Sequence, residues 1–73
     1  MMIYKLQIGK LYKAKVDIYL KSGGALNKNS IFFLVACKEC VTTGIYTFTV
    51  LFKTEIIEFI IHKTTYDLYI KEI

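Results

Sequence analysis

The chain contains no arginine, no proline and no tryptophan, two cysteines, four glycines and one histidine among 73 residues. Each shortage excludes something. Arginine supplies the planar fork that reads guanine edges and clamps phosphates, so base-specific nucleic-acid recognition is disfavoured, and lysine is left to hold a phosphate backbone as a point charge. Two cysteines cannot build the disulfide framework that small secreted domains use. The longest uninterrupted apolar run, Ile31 to Cys37, is far short of the roughly 20 residues that span a bilayer. With no signal-peptide pattern at the N-terminus, the expectation is a cytoplasmic protein that does not enter a membrane.

What is present is apolar and basic. Hydrophobic residues make up 55% of the chain, with 11 isoleucines, 6 tyrosines and 5 phenylalanines, and all ten basic residues are lysine, for a net charge of +4. Such a composition excludes disorder. It is also more apolar than one small domain needs. A single domain of this length buries only about 60% of the surface its unfolded chain exposes, and its core supplies about 3–5 kcal/mol. Self-association is therefore the first candidate for the missing stability.

From Tyr4 to Leu20 apolar residues fall mainly on even positions and lysines on odd ones, the period of a strand with Tyr12, Ala14, Val16, Ile18 and Leu20 inward. Gly9 and Lys10 interrupt the pattern, which predicts a bulge or bend there. Residues 21–30, KSGGALNKNS, read as a loop. They lack the GxxxxGK[ST] spacing of a phosphate loop. The run Ile31 to Ala36 reads as a central strand buried on both faces, and residues 38–44 as a second connector.

Residues 46–61, YTFTVLFKTEIIEFII, read as a hairpin with Lys53-Thr54 at its tip. That register sets Val50 against Ile57, Phe48 against Phe59 and Tyr46 against Ile61 on one face. The other face pairs Leu51 with Ile56, Thr49 with Glu58, Thr47 with Ile60 and Ile45 with His62. A slip by one residue would set large side chains against mixed ones, so the pattern selects this pairing. Lys-Thr is a poor two-residue turn, which predicts an opening to four residues in the same register. After a short turn at HKTT, residues 67–73 read as a last strand.

Five strands with a long first loop, a shorter second, a tight third and a one-turn connector before a short fifth strand resemble the SH3-like small barrel over residues 9–72. An Sm-like or OB barrel is the alternative, and residues 1–8 read as an N-terminal strand extension of a single domain, residues 1–73. The resemblance implies architecture only. The chain has no ALYDY motif, no paired tryptophans and no proline after the third strand, so a polyproline-binding groove is not implied. The bias toward Lys, Ile, Tyr, Phe and Asn resembles small phage or viral reading frames.

Three functional readings follow, none enzymatic: the first two require no cofactor, and the third is a zinc- or redox-dependent module. In the first, Ile45, Thr47, Thr49, Leu51, Ile56, Glu58 and Ile60 form an apolar sheet face that binds another copy or a larger host protein, with Glu58 as a polar gatekeeper against strand aggregation. In the second, Lys5, Lys10, Lys13, Lys15 and Lys21 track a nucleic-acid backbone without reading sequence. In the third, Cys37 and Cys40 form a lone CxxC which, with His62, is a ligand short of a zinc tetrahedron, and which ends a strand where redox chemistry favours a helix N-terminus. Glu55 and Glu58 stand three apart on one strand and so point to opposite faces, unable to cooperate as a carboxylate pair.

Overall fold

The structure, a computed structural model, describes residues 6–73. The described residues are all-β apart from one helical turn. Its elements are β1 (Leu11–Ala14), β2 (Ile18–Tyr19), β3 (Ala25–Leu26), β4 (Ile31–Cys40), β5 (Ile45–Phe52), β6 (Glu55–His62), α1 (Tyr66–Tyr69) and β7 (Ile70–Glu72). One antiparallel sheet has the order β6-β5-β4-β1-β7, and β2 and β3 form a small hairpin of their own. Among the described residues, no helix is long and apolar enough to cross a membrane.

The β5–β6 hairpin has the register expected from its sequence, from Ile45 against His62 to Phe52 against Glu55. It does not open to four residues. Lys53 adopts φ 58°, the left-handed conformation that lets a two-residue turn follow the twist of its strands, and its Nζ lies 5.3 Å from the centroid of the Phe52 ring.

Other expectations need correction. The single strand from Tyr4 to Leu20 is in fact two short strands separated by a bend, with Tyr4 outside the described residues. Gly9, at φ 87°, turns the chain into β1. Beyond Ala14 it leaves the sheet, and the Lys15 amide donates to Tyr69 O at 2.6 Å. The inward set therefore holds at Tyr12, Ala14 and Ile18, while Ile8 and Val16 are exposed. Of the expected extension over residues 1–8, residues 1–5 lie outside the described part, and residues 6–8 form no strand. The loop at 21–30 contains β3, and residues 67–69 belong to α1, not to the last strand.

The largest correction concerns β4. It is central, as expected, yet buried on one face only: Phe32 and Leu34 are inside, while Ile31, Phe33 and Val35 are exposed. An all-apolar run conceals the alternation. The β-bulge lies here too, between Leu34 and Ala36, whereas Gly9 makes the expected bend.

The core lies on the inner face of the sheet. Phe32, Phe48 and Phe59 are its largest fully buried side chains, joined by Tyr12, Ile18, Leu26, Leu34, Tyr46, Val50 and Ile70. The rings form a connected series. Tyr12 stacks on Phe32 (6.3 Å), Phe32 meets Phe59 edge-on (5.9 Å), Phe59 stacks on Phe48 (5.2 Å), and Phe48 meets Tyr46 edge-on (5.9 Å). Such pairs add about 0.5–1.5 kcal/mol each beyond area burial. The β2–β3 hairpin and α1 flank this series, and the Lys21 amide donates to Glu58 O at 3.0 Å, tying the hairpin to the far edge of the sheet.

Phe48→Ala is expected to cost about 3–5 kcal/mol, as much as a core of this size supplies. Phe33→Ala, on the opposite face of the neighbouring strand, should cost less than half of that in dilute protein. Urea denaturation followed by circular dichroism measures both, and similar losses would contradict a one-sided core.

Candidate interaction face

The residues expected to form an apolar interface lie on the outer face of the sheet. On β5 and β6 the outward residues are Ile45, Thr47, Thr49 and Leu51, opposite His62, Ile60, Glu58 and Ile56. Leu51, Ile56, Glu58 and Ile60 are exposed, and Ile45, Thr47 and Thr49 are half-buried. No described residue folds over them to bury them: the first described segment lies on the other side, where the Gln7 amide donates to the Tyr12 hydroxyl at 2.7 Å.

The face is wider than the hairpin. Leu11 pairs with Phe33, Phe33 with Leu51, and Leu51 with Ile56, while the Ile73 amide donates to Leu11 O at 3.3 Å. Ile73, Leu11, Phe33, Leu51 and Ile56 thus make one apolar row across the whole sheet. They are 62, 49, 39, 38 and 58% exposed. Hairpin periodicity could find the last two. Phe33 was hidden in the apolar run of β4, and Leu11 and Ile73 need the β1–β4 and β1–β7 pairings, which join segments far apart in sequence.

The row has unlike flanks. Toward the hairpin tip stand Lys71 and Lys13, directly opposite one another, then Ile31. On the other flank stand Val35, Ala36, Thr49 and Glu58. The Thr49 hydroxyl donates to Glu58 Oε2 at 3.3 Å, and Lys21 Nζ lies 3.6 Å from Glu58 Oε1. Both partners of this ion pair are exposed, so it contributes at most about 1 kcal/mol.

The lysines proposed for nucleic acid do not share one surface. Lys5 lies outside the described residues. Lys13 is on the outer face, Lys10 precedes β1, Lys15 donates from Nζ to Asp67 O at 2.7 Å, and Lys21 is engaged with Glu58.

The CxxC does not converge. Cys37 pairs with the buried Phe48 and faces inward, whereas Cys40 pairs with Ile45 and faces outward, because residues three apart on a strand point to opposite faces. Both thiols are free. His62 shares the outer face with Cys40 but stands two strands away, and its Nδ1 accepts from the Thr64 amide at 3.2 Å. Among the described residues, no group of three or more His, Cys, Asp or Glu could hold a metal ion. A groove of about 620 Å³ runs between Val16–Tyr19 and Ile60–His62. Its carboxylate, Asp17, already accepts from the Lys28 amide at 2.7 Å.

No known protein family, curated protein or solved structure matches the chain.

The two thiols differ chemically. Hydrogen bonds from Thr43 lower the Cys40 pKa, whereas burial, aided by the nearby Glu39 carboxylate, raises that of Cys37. Only the thiolate reacts. Iodoacetamide titrated against pH should therefore label Cys40 first, with its rate rising below the usual thiol range and that of Cys37 rising above it. Equal rates, located by peptide mass mapping, would contradict the placement of the two sulfurs.

Proposed function

We propose that this chain is a non-enzymatic docking module that works by pressing the outer face of its sheet onto another protein surface. The observation that carries this reading is the unbroken row Ile73–Leu11–Phe33–Leu51–Ile56. Single exposed apolar residues are ordinary, but a contiguous patch marks an interaction site. Full burial of a large aliphatic or aromatic side chain contributes about 1.5–3 kcal/mol, so completing the burial of these five gains about 4–8 kcal/mol before association costs. That matches or exceeds the stability of the fold itself, so a covered face changes the balance of the whole molecule.

The architecture supports an SH3-like barrel. Its hairpin excursion separates β1 from β4, a single helical turn precedes a last strand that returns to pair with β1, and the bond from Lys21 to Glu58 links the excursion to the β6 edge. A binding role without catalysis fits the dispersal of the reactive groups, with Cys37 and Cys40 on opposite faces and a single imidazole engaged by Thr64. A phage or viral accessory protein is the class its composition resembles.

An apolar fluorescent dye such as bis-ANS, added to protein at low micromolar concentration, tests the face. Wild type should bind it, and Phe33→Glu should reduce the binding several-fold while changing folding stability by less than about 1 kcal/mol, as a surface substitution does. Unchanged binding, or unfolding of the variant together with Leu51→Lys, would show that the row is not a free docking surface.

A further inference from the structure

The gap between β2 and β6 is walled by backbone on both sides. We infer that it is a separate binding site, which takes a short extended peptide segment of another protein as an added strand. It lies at the β6 edge of the sheet, apart from the apolar row, and does not depend on that face.

β6 supplies one wall. It is an edge strand, so every second residue turns its N–H and C=O away from β5. The Lys21 amide donates to Glu58 O, which identifies the outward-turned set as Ile56, Glu58, Ile60 and His62. Of these, His62 O is taken by the Thr65 amide at 3.0 Å. The N–H and C=O of Ile60 and the N–H of His62 face the groove, and among the described residues no hydrogen bond reaches them across it.

β2 supplies the other wall by the same rule. The Leu20 amide donates to Gly24 O at 3.1 Å, so Leu20, and with it Ile18 opposite Leu26, turns its backbone toward β3. Tyr19 and Lys21 turn theirs the other way, toward β6. Lys21 meets Glu58 directly, at 3.0 Å. Two residues further along each strand Tyr19 would meet Ile60, yet among the described residues no backbone bond joins 16–19 to 60–62. The walls part there around the groove of about 620 Å³, a volume within the range of ligand sites.

The walls select the occupant. Facing rows of free amides and carbonyls are satisfied along both edges of one extended chain, the geometry of strand addition. An edge strand of a folded second copy is backed by its own sheet and cannot enter between two walls that the Lys21–Glu58 bond holds together at one end. The floor adds a side-chain preference. Ile18 and Ile61 are buried there and Tyr69 is half-buried, while Tyr19 and Ile60 are exposed at the rim. Alternate residues of the segment therefore point onto an apolar floor and the others toward solvent, so it alternates aliphatic with polar side chains. The polar residue beside Ile60 is the one whose N–H reaches Ile60 O.

Blocked pentapeptides in which threonine alternates with alanine, valine or leucine, titrated as a pool to millimolar concentration into the isotope-labelled full chain, test this by NMR. The amide protons of Tyr19, Ile60 and His62 are expected to shift downfield. The same pool N-methylated at its threonines loses the donors that face β6 and should bind about tenfold more weakly. Ile60→Pro removes the protein's own donor at an edge position where that N–H pairs with no strand, and should weaken binding to the same degree. Circular dichroism checks that this variant is folded, and the N-methyl comparison needs no variant if it is not. Binding indifferent to N-methylation, shifts confined to Leu11, Phe33 and Leu51, or no shift with the pool at millimolar concentration would overturn the added strand. Tyr19 and Ile60 amides already protected from hydrogen exchange in the free protein would overturn it as well, by showing that β2 itself closes the gap.

Discussion

The structure depends on a series of stacked and edge-on rings running from Tyr12 through Phe32, Phe59 and Phe48 to Tyr46. It links β1, β4, β6 and β5, so the four strands that contribute most of the sheet share one inner layer. A chain of this length has material for one such layer. The β2–β3 hairpin and α1 complete it with Ile18, Leu26 and the half-buried Tyr66 and Tyr69, and among the described residues no further apolar segment covers the other side.

The outer row follows from that commitment. Strand pairing fixes which residue stands beside which, and alternation fixes the face. Once Phe32, Phe48 and Phe59 point inward, Phe33, Leu51 and Ile56 must be carried outward by the same registers. The bulge at Val35 shifts the β4–β5 register only beyond this row, so the row stays straight while the far end of the sheet becomes mixed, with Lys38, Thr47 and Ile60 aligned there. The result is a sheet whose two faces differ in burial: one holds the core, and the other leaves Leu11, Phe33, Leu51 and Ile56 exposed.

How much of this could be read from the residues varies by element. The β5–β6 register was legible pair by pair, though not its tight two-residue turn, because large residues alternate on both of its strands and only one register matches them. The two-faced apolar character of that hairpin, and with it Leu51, Ile56 and Ile60 of the candidate face, followed directly. β4 was legible as a central strand but not in its burial, since seven consecutive apolar residues have no periodicity to interpret. The region from Gly9 to Leu26 misled, because its alternation continues through a bend at residues 15–17 that is set by hydrogen bonds to Tyr69 and Ser30, groups distant in sequence. Asp67-Leu68-Tyr69 resembled the start of a strand, and only its position ahead of β7 makes it a helical turn. The CxxC was visible as a spacing, but its meaning depended on lying within a strand, where that spacing separates the sulfurs.

The claim at the centre of the account is that the fold buries one face of its sheet and leaves the other open to a partner. Methyl NMR in the presence of a soluble gadolinium chelate tests this directly, by comparing Leu11, Leu51, Ile56 and Ile73 with Leu26, Leu34 and Val50 at micromolar protein concentration. The account predicts that the second group is shielded and the first strongly relaxed. Outer methyls that are as shielded as the inner ones in isolated molecules would contradict it.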